Sequence, residues 1–117
     1  QNYMNLNSSG GDELKFGMIG SASTTNLVLQ GNNGGPTNFV TGQAGDATGA
    51  YHTYGILIPN SAGPAFAVYD GVVIGQIAAN LPASTTDLTA SFYVANGTTA
   101  AARVQKIDWA RYVRGAA

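Results

Sequence analysis

The stretch that decides the fold class is AFAVYDGVVIGQIAANLP, residues 65–82. Two apolar runs flank Asp70-Gly71, a dipeptide that favours a type I′ turn, whose twist matches that of the strands on either side. The sequence therefore predicts a β-hairpin with Asp70 and Gly71 as its structural turn. A helical pattern is hinted at only over residues 75–82, and Pro82 would end it.

Strand patterns also lie on both sides of this hairpin. Apolar alternation predicts strands over residues 13–19, 24–30, 38–41, 51–58, 89–95 and 102–113. The Gly-rich segment 31–36 is predicted to be a turn throughout, because Pro36 cannot donate to a ladder. Residues 1–12 alternate weakly and are expected to form an N-terminal arm. Short strands separated by Gly-rich turns predict one domain, 1–117, that is all-β and folded as an antiparallel β-sandwich or jelly roll.

Composition narrows the classes of partner. The 117 residues support one hydrophobic core, and only 9% are charged, against roughly 25% in an average soluble domain. A net charge of −1 provides no basic surface for phosphates, so no nucleic-acid partner is expected. No apolar stretch approaches the ~20 residues of a membrane span. Such a weakly charged surface suits extracellular or virion proteins that pack against copies of themselves.

The residues that could carry catalysis are few. Glycoside hydrolysis normally needs two positioned carboxylates, but Glu13 is the single glutamate, and the aspartates after Asp12 are scattered. His52 is the single histidine and the chain has no cysteine, so no zinc site can form from the usual ligands. His52 is interpreted as a strand histidine bonded to backbone or to a carboxylate. We therefore expect no catalytic residues, no metal, no cofactor and no enzymatic activity.

Aromatic side chains are the remaining candidates for binding a ligand. Sugar rings stack on aromatic faces, and a tyrosine hydroxyl can hydrogen-bond to them. On this basis Tyr54, Tyr93 and Trp109 are candidate glycan-binding residues. The alternative is that these rings fill the core or a contact between subunits, where large aromatics are usually found.

From Tyr51 onward the order of motifs resembles a known family. The motifs are Tyr51-His52-Thr53-Tyr54-Gly55-Ile56, then Tyr69-Asp70-Gly71, Asn80-Leu81-Pro82, a strand before a Gly-Thr loop (92–98), and Ile107-Asp108-Trp109. This order is similar to the C-terminal half of the concanavalin A-like (lectin/glucanase-type) jelly-roll modules of phage tail fibres, tailspikes and other virion appendages. About half of the chain carries the resemblance, and residues 13–50 match only loosely.

The resemblance implies a non-enzymatic viral structural or appendage protein: a tail fibre, spike or capsid-decoration module at the virion surface or outside the cell. Such a protein would assemble as a homo-oligomer or with other virion proteins. The alternative is a carbohydrate-binding module that recognises a host cell-surface glycan. Modules of this family are usually longer, so either this chain is a minimal version or the missing strands come from a neighbouring copy or an upstream segment. The start at Gln1 fits the second of these possibilities, and an exposed sheet edge would invite pairing with another chain.

Overall fold

The computed structural model describes residues 1–46, 48–59, 63–83, 87–95 and 104–113. The described residues form two antiparallel sheets and no helix, which confirms the predicted all-β class. The eight strands are β1 (Asn2–Ser8), β2 (Glu13–Met18), β3 (Asn26–Asn32), β4 (Pro36–Ala44), β5 (Tyr54–Leu57), β6 (Ala65–Tyr69), β7 (Val72–Ile77) and β8 (Leu88–Val94).

The larger sheet has the strand order β4-β3-β2-β1-β8 and the smaller sheet has the order β5-β6-β7. The segment expected to be an N-terminal arm contains β1, which pairs with β2 on one side and with β8 on the other. Its weak alternation is explained by polar residues on the outer face, such as Asn5 and Asn7, while Met4 and Leu6 face the core. Strand β1 therefore lies inside the larger sheet, between β2 and the last described strand, β8.

The hairpin over 65–77 is formed by β6 and β7. Asp70 and Gly71 occupy its turn with φ values of 48° and 81°, and a type I′ turn requires positive φ at both central residues. Asp70 tolerates this conformation because a short polar side chain can bond to nearby backbone. A register shift between Ala67 and Val68 marks a bulge, which adds local twist to the small sheet.

The core lies between the two sheets. The larger sheet contributes Leu6, Leu14, Phe16, Leu27 and Leu29, and the smaller sheet contributes Ala65, Ala67, Tyr69 and Ile77. Strict alternation places these residues on one face of each strand, as a half-buried sheet demands. Each fully buried Leu or Phe stabilises the fold by roughly 1.5–3 kcal/mol relative to an exposed one.

The smaller sheet does not cover the larger one evenly. Strand β7 packs on β3 and β4, and β5 packs on β2. At the other end of the larger sheet, the inner face of β8 is open: Ala90 is exposed and Phe92 keeps 44% of its surface. Among the described residues, three strands thus lie opposite five, and the sandwich that they form is incomplete over β1 and β8.

Besides the N-terminal arm, two further predicted elements differ from the observed ones. Only residues 33–35 form the turn expected over 31–36, because Gly31, Asn32 and Pro36 belong to β3 and β4. Pro36 is accommodated as the first residue of an edge strand, where its missing N–H costs little. The strand predicted over 102–113 is absent: residues 104–113 contain no strand, and 102–103 lie outside the described residues. Alternation produces a strand only where a partner edge pairs with it.

Candidate functional site

The incomplete part of the sandwich forms an open groove of about 1700 Å³. Its floor is the inner face of β1 and β8, including Met4, Leu6 and Phe92. One wall is the segment from Gly49 to Pro59, which contains β5, and the other is formed by residues 104–113. Small-molecule pockets usually measure ~300–1,000 Å³, so this groove has the size for a polypeptide segment or an oligosaccharide.

Asp46, His52 and Asp70 form a cluster at one end of the groove. The Nδ1 atom of His52 lies 2.7 Å from Oδ2 of Asp70, and its Nε2 atom lies 2.7 Å from Oδ2 of Asp46. The backbone fixes both carboxylates as well, since Thr48 N–H donates to Asp46 at 2.7 Å and Thr53 N–H donates to Asp70 at 2.9 Å. We call these three side chains the acid–histidine clip, because they tie the segment after β4 to the β6–β7 turn.

The clip has a definite charge state. A carboxylate only accepts hydrogen bonds, so both ring nitrogens of His52 must donate and the imidazole must be protonated. Hydrogen bonds to Asp70 and then to Asp46 raise the pKa of His52 above 6.5. Hydrogen bonds from Thr48, and then from His52, lower the pKa of Asp46 to about 2. The pKa of Asp70 is lowered by the Thr53 backbone and then by His52.

Aromatic rings connect the clip to the core. The imidazole of His52 stacks on Tyr69 with ring centroids 5.0 Å apart. Tyr69 meets Tyr54 edge-on at 5.3 Å, and Tyr54 lies against buried Phe16 at 5.5 Å. Stacking a protonated imidazole on a ring is also favourable as a cation–π contact. The orientation of the groove wall at β5 therefore depends on this chain of rings.

We expect His52→Gln to lower stability in a pH-dependent way. Because the folded pKa of His52 is raised, its contribution is complete below the unfolded value of 6.5 and is lost as pH rises through the folded pKa. The contribution of the depressed Asp46 is complete above 3.8 and is lost as pH falls toward about 2. The melting-temperature difference between the two proteins should therefore be largest from about pH 4 to about pH 6 and should shrink as pH rises through the folded pKa of His52. A difference that is constant across this range would contradict the charged clip.

The structure brings two of the three candidate glycan-binding residues to the groove. Tyr54 lies on the β5 wall and Trp109 lies on the opposite wall, where 66% of its surface is exposed. Tyr93 stands instead on the outer face of the larger sheet, stacked on Tyr3 at 4.8 Å. Alternation places Tyr93 and Phe92 on opposite faces of β8, so Phe92 lines the groove and Tyr93 does not.

The outer face around Tyr93 carries a polar network. Lys15 pairs with Glu13 at 3.0 Å and lies over the ring of Tyr3 at 5.0 Å. Asn5 donates to Glu13 at 3.2 Å, while its Oδ1 atom is buried without a hydrogen-bond partner among the described residues. The network is packed on itself and encloses Tyr3, which is only 9% exposed. It therefore stabilises the outer face of β1 and β2, where Tyr3 also packs with Ile19 and Val28.

Sequence reasoning anticipated a carboxylate partner for His52 but missed the convergence of two. Asp46 and Asp70 lie 6 and 18 residues from His52, in two connections that meet only after the sheets have packed. No spacing rule links such positions, because the meeting point depends on how the segment after β4 crosses to the smaller sheet. The local signals were the Asp-Gly turn and a polar histidine at the start of an apolar run.

Within the described ranges, no group of three or more His, Cys, Asp or Glu side chains is arranged to hold a metal ion. The same residues include no helix long and apolar enough to cross a membrane. Comparisons with protein families, curated proteins and solved structures returned no match.

Proposed function

We propose that this protein is a non-enzymatic structural module that assembles with copies of itself or with other proteins through its incomplete sandwich. The observation that carries the proposal is the open inner face of β8, where Phe92 is 44% exposed beside the partly buried Met4 of β1. Apolar surface of this kind, placed in a groove, is typical of protein contact sites. A monomer that keeps it in water gives up stabilisation that a partner would supply.

The 104–113 segment supports the same proposal. Its large apolar side chains are exposed: Val104, Ile107, Trp109, Tyr112 and Val113 keep between 47% and 73% of their surfaces. Interface cores are enriched in aromatic residues, and Trp and Tyr are prominent among the residues that dominate affinity. One chain therefore carries both an apolar groove and an apolar segment.

The proposal also covers the family of the protein and its location. We place the module among the concanavalin A-like jelly rolls of phage tail fibres, spikes and capsid decorations, at the virion surface or outside the cell. Two antiparallel sheets and the motifs from Tyr51 onward support that placement, and so does the surface with only 9% charged residues. In such a lattice most surfaces are buried against neighbours, where uncompensated charge is costly.

Sedimentation velocity across a concentration series tests the assembly function. We expect a concentration-dependent dimer or larger oligomer at micromolar protein, since burying more than ~1,000 Å² with good fit gives a stable contact. Val73→Ser controls for the loss of exposed apolar surface outside the groove, because Val73 is 55% exposed and does not line the groove. This variant should assemble like the unchanged protein. A chain that remains monomeric at every concentration and binds no virion protein would contradict the proposal.

A second function, recognition of a cell-surface glycan, is favoured by one observation. Tyr51, Tyr54 and Trp109 line the same groove as the carboxylates of Asp46 and Asp70, so stacking surfaces and hydroxyl acceptors lie together. Binding on a glycan array that is weakened by Trp109→Ala and unchanged by Tyr93→Ala would support it. An array without hits would remove it.

A further inference from the structure

We propose that the groove is filled by the 104–113 segment of a second copy, which adds a strand to the free edge of β5 while the reciprocal exchange fills the groove of the partner. This inference rests on the proposed assembly function and names its partner. Within the part of the chain that the structure describes, β5 pairs only with β6 and ends the smaller sheet, so its other edge is free. An unpaired edge presents backbone donors and acceptors to any strand that reaches it.

The free edge of β5 faces the incomplete part of the sandwich. A strand added beside β5 would lie over β1 and β8, where the smaller sheet is missing. It would cover Phe92 and Met4 and give four strands opposite five. The inward-facing side chains of the added strand would then cover the open face, as those of the other strands cover the rest of the core.

The 104–113 segment has the pattern that such an added strand needs. Its residues alternate as a strand does, yet its backbone makes no backbone hydrogen bond to any described residue. Ten residues in a strand span ~33 Å, which is more than the ~13 Å spanned by the four residues of β5. Lys106 and Arg111 outnumber Asp108 in the segment, while the acid–histidine clip at the end of the groove carries two carboxylates and one imidazolium. The segment is therefore long enough to cover β5 and is complementary to the clip in charge.

The 104–113 segment of the same chain does not fill the groove. It already borders the groove and is held at Gln105, whose side chain donates to the Asn2 side chain and to the Tyr93 carbonyl. In this position its apolar side chains remain exposed and its backbone remains outside the ladder. Because every copy carries one free edge and one unpaired segment, reciprocal exchange satisfies both and gives a closed two-fold dimer.

The area involved is sufficient for a stable dimer. A buried aromatic residue contributes on the order of 150–250 Å², and the segment carries two aromatics and three aliphatics that are about half or more exposed. In a strand only Ile107, Trp109 and Val113 of these five share one face, and burying that face removes roughly 350 Å² from the segment and about as much from the groove. The reciprocal exchange does this twice, so it buries on the order of 1,400 Å². Stable specific interfaces bury roughly 1,200–2,000 Å².

Disulfide trapping between two differently tagged chains tests the exchange. Because the chain has no native cysteine, only the introduced cysteines can form a disulfide. One chain carries Leu57→Cys on β5 and the other carries Ala110→Cys in the segment; both positions are exposed. We expect a cross-linked heterodimer on mild oxidation. The control replaces Leu57→Cys by Ser21→Cys, in the turn between β2 and β3 and away from the groove, and should give none. A chain with both Leu57→Cys and Ala110→Cys that closes only on itself would overturn the exchange in favour of the same chain.

Sedimentation of the double variant Ile107→Lys/Trp109→Lys separates this inference from the function on which it rests. Both side chains are exposed, so the variant should fold, with an unchanged melting temperature at low concentration as the check. We expect its dimer dissociation constant to rise at least about 100-fold, as the loss of two interface anchors implies. A dimer of unchanged affinity would overturn the exchange and leave assembly through another surface. Monomers of the unchanged protein at all concentrations would overturn both.

Discussion

Phe16→Ala is expected to lower the free energy of unfolding by about 3–5 kcal/mol. Phe16 is fully buried in the central strand β2, packs in the core between the sheets, and lies against Tyr54. Removing its ring leaves a cavity that rigid neighbouring strands cannot close, so the lost transfer energy and the cavity cost add. Chemical denaturation followed by tryptophan or tyrosine fluorescence measures the change.

Phe92→Ala is the matched control for this substitution. Phe92 and Phe16 both pair with Met4, on β8 and β2, so the two rings occupy the same row on the same face of the larger sheet. Only Phe16 is covered by the smaller sheet, whereas Phe92 is 44% exposed. In the dilute monomer, Phe92→Ala should therefore lower the free energy of unfolding by no more than about 1–2 kcal/mol. Equal losses at the two positions would mean that the inner face is covered evenly, contrary to the incomplete sandwich.

Gly17→Ala is expected to destabilise the protein by about 3 kcal/mol or more, since it combines backbone strain with overpacking. Gly17 has φ +149°, and a Cβ atom there would lie 2.6 Å from Cα of Tyr3 and even closer to the carbonyl oxygen of Asn2. Both contacts are with the backbone of β1, the neighbouring strand, so relief requires the two central strands to separate. Thermal and chemical unfolding of the variant measure the loss.

Gly35→Ala provides the reference for the same change of side chain. Gly35 lies in the turn between β3 and β4, and a Cβ atom there would meet nothing within 4 Å. Its free energy of unfolding should change by less than about 1 kcal/mol in either direction, as for a substitution that alters mainly the unfolded chain. If Gly17→Ala were as mild as Gly35→Ala, the close approach of β1 and β2 at this point would be wrong.

The sequence predicted the parts of the fold that depend on local pattern. Leu14, Phe16 and Met18 alternate with polar or small residues, and Asp70-Gly71 sits between two apolar runs, so β2 and the β6–β7 hairpin follow from period-two alternation and turn chemistry. These signals are local because each residue reports only on its own strand and its own turn. The all-β class and the presence of two sheets follow from such signals added along the chain.

The parts that depend on partners were not predicted in the same way. Residues 104–113 have a strand pattern but no strand, because alternation says nothing about whether an edge is free at the right place. The clip of Asp46, His52 and Asp70 depends on two connections meeting after the sheets pack. The separation of Tyr93 from Tyr54 and Trp109 is likewise set by the topology, which places β8 beside β1 at the end of the larger sheet.

Amide hydrogen exchange, measured as a function of protein concentration, tests whether another chain completes the incomplete sandwich. At low concentration we expect strong protection in β1, β2 and β3 and fast exchange in residues 104–113, whose backbone is unpaired with the described residues. At high concentration, protection should appear together in residues 104–113 and along β5. Fast exchange of residues 104–113 at every concentration, or strong protection of them in dilute monomer, would contradict completion by another chain.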